Sequence, residues 1–212
     1  MNFKRPIFFI HVVLSLIVLL LANFFKVSYI IGSKMAFFSA TDFVLPVVGA
    51  FGGTTFIISL FSLRSLVSSF NPLYALLKHM PTLSGSLYWS TQSIIIRLLL
   101  PLLCIALFLI HPVGIQAYAY SFYWFIPVLL YLCKADGIMA QAVGSTFVVH
   151  AVGSIIWLYT VPMNAAQWWA LIPIVAVERC VSAIGMVVCY HLYNVILVYT
   201  KRALFTKILR HD

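Results

Sequence analysis

Long apolar runs dominate this chain and restrict what it can fold into. Hydrophobic residues make up 64% of its 212 residues, charged residues 8%, and the mean hydropathy is +1.09. Soluble domains carry roughly 45–50% apolar and about 25% charged residues. A run of about 20 apolar residues crosses a bilayer as a helix, because the backbone must satisfy its own hydrogen bonds there. The sequence therefore predicts an all-α, polytopic membrane protein with one transmembrane domain.

Six apolar segments are predicted to span the membrane. They cover residues of about 7–25, 43–62, 90–111, 117–133, 139–160 and 168–200. The first run is longer than the apolar region of a signal peptide and lacks an A-x-A-like cleavage site, so we expect it to be retained. The last would be roughly 50 Å long as a helix, and its end is expected to protrude or tilt.

Two intervening segments are predicted to be connections. Residues 26–42 are too interrupted to span, yet too apolar for a solvated loop, and predict an outer loop that packs on the protein. Residues 63–88 predict a cytoplasmic connection, with a short surface helix in NPLYALLKHM.

The basic residues predict the orientation. With the N-terminus inside, the cytoplasmic ends hold nine of them, namely Lys4, Arg5, Arg64, Lys78, Lys134, Lys201, Arg202, Lys207 and Arg210. Outside loops hold only Lys26 and Lys34. This bias predicts cytoplasmic termini and a multi-pass protein of the inner (plasma) membrane. Because the net charge of +9 is spread over loops and the C-terminus, it does not indicate a nucleic-acid partner. Arg97 is expected to snorkel to the cytoplasmic interface.

Glu178 and Arg179 lie side by side within the apolar run IPIVAVERCVSAIGMVVCY. Ionisable residues at membrane depth are costly and usually face a bundle interior or a cavity. The two side chains leave a helix about 100° apart, so we expect one to face a cavity and the other a neighbouring helix. The pair is either part of a binding site or a structural pair that locks helices together, and the sequence leaves both open.

A polar stripe marks the fifth predicted span. Thr146, His150, Ser154 and Trp157 follow the spacing i, i+4, i+8, i+11 and share one helix face. This pattern suits contact with a small polar aromatic ligand, although a lone membrane histidine often only bridges helices. Tyr120 and Trp124 of the fourth span are further candidates, and their alternative role is that of aromatic residues at the membrane interface. Asp42 is another candidate, and its alternative role is to cap a helix.

No catalytic motif accompanies these residues. The sequence contains no P-loop, no GxSxG, no HExxH and no paired acidic motif for a metal ion. The four cysteines lie in or beside apolar runs without metal-type spacing. We therefore expect neither an enzyme nor a bound cofactor or metal ion.

The order of these features resembles the substrate-binding (S) components of energy-coupling-factor (ECF) vitamin transporters. Two stretches carry the resemblance, AFFSATDFVLPVVGAFGG at 36–53 and ALIPIVAVERCVSAIGMVVCYHLYNVIL at 170–197. The first span, HVVLSLIVLLLANFF, departs from the family because it lacks the AxxxA-type stripe that docks to a shared coupling protein.

The resemblance implies a six-helix protein that binds a small vitamin-like metabolite in its outer half, under the 26–42 loop. It implies ATP-driven uptake with a transmembrane coupling protein and ATPase subunits. The implied substrate site combines the candidates above: Asp42, Tyr120, Trp124, His150, Ser154, Trp157, Glu178 and Arg179. The alternatives are a scaffold of the rod-shape-determining type that binds protein partners and, less favoured, a membrane enzyme acting on lipid. A closed pocket favours the transporter component, and a shallow apolar groove favours the scaffold.

Overall fold

A computed structural model describes residues 41–68 and 72–209, with side chains over 43–63 and 77–200. The elements within these ranges are all helical: α1 (Thr41–Ser68), α2 (Pro72–Ser90), a π-helical segment (Ile95–Leu99), α3 (Leu100–Ile110), α4 (Pro112–Gln116), a 3-10 helix (Tyr118–Trp124), α5 (Phe125–Leu132), α6 (Ile138–Thr160) and α7 (Ala165–Leu209). The all-α prediction is confirmed for this part of the chain.

Three of the described helices are long and apolar enough to cross a membrane. They cover Phe43–Leu63, Ile138–Thr160 and Ala165–Thr200, and two shorter apolar helices cover Ile95–Ile110 and Tyr118–Leu132. By length and composition, this is the helix set of a membrane protein. The predicted first span, 7–25, lies outside the described residues, as does nearly all of the predicted outer loop. The count of six spans therefore stays a prediction.

The helix α1 is broken near its middle at Gly53. This residue has φ 73° and ψ 173°, a backbone conformation that an L side chain rarely adopts. It divides α1 into two arms, 41–52 and 54–68. The first arm lies directly on α2, because an added Cβ at Gly49 would meet the backbone carbonyl of Ser86. Gly49 therefore allows α1 to approach α2 closely, and Gly53 changes the direction of α1.

The predicted connection 63–88 holds more helix than the sequence indicated. Residues 63–68 belong to α1, and α2 is a 19-residue helix that packs between α1 and α6. Its hydroxyl side chains are buried because they bond within their own helix: Ser84 Oγ donates to the Pro81 carbonyl at 2.6 Å and Ser86 Oγ to the Thr82 carbonyl at 2.9 Å. Because their hydroxyl groups already have hydrogen-bond partners, these small polar residues permit close helix packing. A prediction from apolarity alone does not detect such a helix.

The helix α6 is the central element of the described bundle. It contacts α2, α3, α5 and α7, and the 3-10 helix packs against its middle. Large aromatic side chains fill the space around it, among them the buried Phe108, Trp124 and Trp168. This packing brings the polar face of α6 against the aromatic segment that follows α4.

Candidate functional site

Four of the candidate residues meet in one hydrogen-bonded cluster, which we call the His150 cluster: Tyr120, Trp124, His150 and Ser154. Tyr120 Oη lies 2.7 Å from His150 Nε2 and 3.2 Å from Ser154 Oγ. Trp124 Nε1 lies 3.1 Å from His150 Nδ1. Tyr120 and Trp124 come from the 3-10 helix, and His150 and Ser154 are one turn apart on α6. The predicted i, i+4 face of α6 thus provides half of this cluster.

The cluster has a defined direction of hydrogen bonding. The indole N–H of Trp124 can only donate, so His150 Nδ1 is the acceptor, and a neutral imidazole then carries its hydrogen on Nε2. Nε2 then donates to Tyr120 Oη, and the Tyr120 and Ser154 hydroxyls, 3.2 Å apart, share a further hydrogen bond in which either can donate. A doubly protonated imidazole would place two N–H groups against each other at Nδ1. The geometry therefore requires neutral His150, and the chain of bonds ends on the Ser154 hydroxyl.

Aromatic rings enclose this chain of hydrogen bonds. The Tyr120 ring lies 4.8 Å from the Trp168 ring and 5.6 Å from the Phe108 ring. Trp124 is 0% and Tyr120 is 3% exposed, whereas His150 is partly buried. Trp168 is 1% exposed, and its Nε1 atom is buried without a hydrogen-bond partner. Because a buried donor is costly to leave unpaired, it marks a position that an acceptor atom would stabilise.

Glu178 and Arg179 form an ion pair next to this cluster. Arg179 Nη2 lies 3.7 Å from Glu178 Oε2, and Arg179 Nη1 lies 3.5 Å from Thr146 Oγ1 on α6, one turn from His150. The Arg179 side chain is 4% exposed and the Glu178 side chain 21%. Arg179 thus faces the neighbouring helix, as expected for one of the two residues. Although they leave α7 about 100° apart, their long side chains still reach each other.

The remaining candidates lie apart from the cluster. Trp157 is 41% exposed, and its Nε1 donates to the Met163 sulfur at 3.0 Å in the turn that follows α6. Asp42 is the second residue of α1, and its side chain lies outside the described part. The structure therefore joins four candidates directly and brings Glu178 and Arg179 beside them.

Arg97 occupies a polar corner that the sequence did not reveal. It does not snorkel: the residue is 3% exposed and is held by backbone carbonyls and an amide. Its Nη2 donates to the Tyr88 carbonyl at 2.8 Å and to Gln141 Oε1 at 2.7 Å, and its Nε donates to the Thr91 carbonyl at 3.1 Å. Because two of these acceptors are backbone carbonyls at the end of α2 and the third lies near the start of α6, no sequence spacing could have identified them. The corner joins the end of α2 to the start of α6.

An apolar groove of about 180 Å³ lies between α1 and α7, on a different part of the bundle. We call it the α1–α7 groove, and it is lined by Val44, Val47 and Val48 of α1 and by Cys189, Leu192, Tyr193 and Ile196 of α7. Each set follows the i, i+3, i+4 spacing of one helix face. The groove offers shape and apolar contact rather than polar recognition.

Within 43–63 and 77–200, no group of three His, Cys, Asp or Glu side chains lies close enough to hold a metal ion. In comparisons with known proteins, no family model, no curated protein and no solved structure matches the chain.

Proposed function

We propose that this chain is a membrane-embedded binding component for the uptake of a small vitamin-like metabolite. In this proposal it has six spans, both termini in the cytoplasm and an inner (plasma) membrane location. It resembles the substrate-specificity (S) subunit of an ATP-driven ECF transporter, and a coupling protein and ATPase subunits would energise it. The His150 cluster is the observation that carries the proposal.

The cluster supports ligand binding through its combination of rings and directed polar groups. Small-molecule sites are mostly apolar and aromatic, with a few placed polar groups that fix orientation. Here the Ser154 hydroxyl ends a chain of hydrogen bonds, and Trp168 Nε1 is a buried donor without an acceptor beside the same Tyr120 ring. A planar ring compound carrying a carbonyl or ring-nitrogen acceptor matches both features.

Binding at this position requires side-chain movement. Tyr120 and Trp124 are enclosed, so the ligand has to displace rings that now pack on one another. Glu178 and Arg179 lie next to the cluster and add charge at its edge. A metabolite with both a ring and a charged or polar group would use all of these contacts.

Retention of a small molecule by the purified protein tests the proposal. Native mass spectrometry of the gently solubilised chain is expected to show an added mass that Tyr120→Phe loses, because this change removes the hydroxyl linking His150 to Ser154. Added ligand at about 100 times its Kd is expected to stabilise the wild type by about 2.7 kcal/mol.

Tyr123→Phe is the matched control. Tyr123 lies in the same 3-10 helix, but its hydroxyl donates to the Ile172 carbonyl at 2.9 Å and not to the cluster. It is expected to retain the added mass. The proposal fails if the wild type retains no small molecule and no compound in a panel of vitamins raises its melting temperature.

The α1–α7 groove favours a second candidate function, a scaffold of the rod-shape-determining type that binds protein partners. Its lining is aliphatic apart from Cys189 and Tyr193, which suits a partner helix better than a metabolite. Under this alternative, Tyr120→Phe leaves function unchanged, and substitutions in the groove abolish association with the partner. Co-purification from membranes with variants of each kind separates the two functions.

A further inference from the structure

Arg97 uses only part of its guanidinium group in contacts with the described residues. Nε donates to the Thr91 carbonyl, and Nη2 donates to the Tyr88 carbonyl and to Gln141 Oε1. The Cζ atom lies 4.4 Å from the centre of the Tyr88 ring, which covers one face of the group. Nη1 makes no hydrogen bond within 43–63 and 77–200, and it is not among the buried unpaired atoms there. The 3% of Arg97 that is exposed therefore includes the Nη1 nitrogen.

The charge of Arg97 has no counterion within 4 Å in the part of the chain described with side chains. Its acceptors are two backbone carbonyls and an amide, and the ion pair found there joins Glu178 and Arg179. Asp136, exposed in the turn before α6, acts on Arg97 through space without forming an ion pair with it. A buried charge is costly without a partner. An anion that reaches Nη1 would therefore stabilise the folded protein.

The open nitrogen lies at one end of the bundle. Thr91 follows Ser90, the last residue of α2, and Gln141 is the fourth residue of α6. Arg97 is the third residue of the π-helical segment, a type of helix that often marks a functional site. These positions lie within about one turn, roughly 5 Å, of a helix end. Where α6 crosses a bilayer, this end lies at the level of the lipid head groups.

The surroundings favour a lipid over an ion in solution. A phosphate group can come from a lipid head group or from a free phosphate ion. Large apolar side chains are exposed on the same segment and at the start of α6: Ile95 is 60%, Leu99 50% and Met139 53% exposed. They offer contact to acyl chains, from which a free ion gains nothing. Basic residues between membrane helices at this level bind anionic head groups.

We propose that Arg97 binds a phosphate group of a membrane lipid through Nη1, at the end of the bundle where α2 meets α6. The two N–H groups of Nη1 donate to phosphate oxygens in charge-assisted hydrogen bonds. Asp136 opposes this binding, because it adds a negative charge near the phosphate. The inference does not depend on the His150 cluster binding a metabolite, since it concerns a separate part of the molecule.

Thermal unfolding of the purified full-length protein in a non-ionic detergent tests the proposal. Phosphatidylglycerol is expected to raise the melting temperature to a plateau, because it carries a phosphate and no positive charge of its own. Diacylglycerol with the same acyl chains lacks the phosphate and is expected to have no effect. Inorganic phosphate is expected to give no rise at the concentration at which phosphatidylglycerol saturates.

Asp136→Asn is the informative variant, because the position is exposed and the change removes a negative charge that acts on Arg97. It is expected to lower the half-saturating concentration of phosphatidylglycerol several-fold. Ala166→Lys is the matched control: it changes the net charge equally, at an exposed position at the start of α7, near the opposite end of α6. It is expected to leave that concentration unchanged. Arg97→Gln is expected to abolish the response, and Asp136→Asn keeps the test decisive if that variant does not fold.

Three results would overturn the proposal. An equal rise with diacylglycerol would reduce the effect to apolar contact. Equal tightening by Ala166→Lys would show a dependence on net charge rather than on Arg97. A full rise with inorganic phosphate alone would assign Nη1 to a soluble phosphate compound and not to a lipid. None of these results depends on metabolite retention, so failure here is distinguishable from failure of the proposed uptake function.

Discussion

Arg179 and Glu178 are adjacent in sequence, but their burial differs. The guanidinium side chain is 4% exposed and also reaches Thr146, whereas the carboxylate side chain is 21% exposed. Removing one member of a buried pair costs about 3–5 kcal/mol, because the other charge stays behind without its partner. The consequences of substitution therefore depend on which charge remains.

We expect Glu178→Gln to lower the melting temperature in detergent more than Arg179→Gln does, because it leaves the more buried guanidinium without its carboxylate. The double variant is expected to lose less than the sum of the two single variants, with a coupling of about 0.5–3 kcal/mol. Additive losses in the cycle would show that the pair does not interact.

Glu178→Gln also separates a ligand contact from a structural role. The change keeps the side-chain shape and removes the charge. If Glu178 contacts the ligand, affinity is expected to fall by about 1.5–3 kcal/mol, the scale of a hydrogen bond to a charged group. Melting temperature and affinity are measured on the same sample. A lower melting temperature with unchanged affinity would limit Glu178 to holding helices together.

Side-chain positions in this chain were predictable where one helix determines them. His150 and Ser154 share a face because residues four apart on a helix do so, and both belong to the His150 cluster. The partners of Arg97 were not predictable, because two are backbone carbonyls and the third, Gln141, lies 44 residues away in the sequence. Sequence periodicity indicates which residues share a helix face, whereas packing between segments determines their hydrogen-bond partners.

At the scale of elements, α1 and α2 approach so closely that a single methyl group matters. An added Cβ at Gly49 would meet the backbone carbonyl of Ser86, which cannot move as a flexible side chain does. We expect Gly49→Ala to destabilise the folded protein by about 1–3 kcal/mol, the usual cost of overpacking. Thermal unfolding in detergent measures this loss.

Gly137→Ala is the control for that experiment. Gly137 precedes α6 with φ −66°, and an added Cβ would meet no atom within 4 Å. It is expected to change the melting temperature little. Equal losses in the two variants would contradict the proposed dependence on close α1–α2 contact.

Helix prediction succeeded where an apolar run has clear ends. The span predicted at 139–160 corresponds to α6, Ile138–Thr160, which begins after Gly137 and ends before a proline-containing turn. Within 63–88 the sequence predicted only a short surface helix in NPLYALLKHM, because serine, threonine and histidine lowered the apparent apolarity of the 19-residue α2. The break at Gly53 was also missed, since glycine in an apolar run reads as a packing residue.

At the scale of the whole molecule, the orientation is open to a direct labelling test. The distribution of basic residues predicts that position 34 is outside and position 207 inside. In a variant without native cysteines, a membrane-impermeant thiol reagent applied to intact cells is expected to label a cysteine at 34 but not one at 207. Labelling of both from the same side would show that the predicted topology is wrong.

The energy source for uptake is the second property of the whole molecule that can be tested. The sequence carries no nucleotide-binding motif, so we expect vesicles containing this chain alone to bind the metabolite without accumulating it. Radiolabelled uptake under an imposed proton or sodium gradient measures this. Concentrative uptake by the chain alone would replace the proposed ATP-driven mechanism with secondary transport.

The length of α7 has a mechanical consequence. Its 45 residues make a helix of about 68 Å, roughly twice the thickness of a bilayer core. From Glu178, beside the His150 cluster, to Leu209 the helix runs about 46 Å. Since Tyr193 and Leu197 of this stretch are buried against α1, a swing of about 10° about Glu178 moves α1 with it and displaces the far end by about 8 Å. A small rearrangement around His150 would then produce a larger displacement at Leu209.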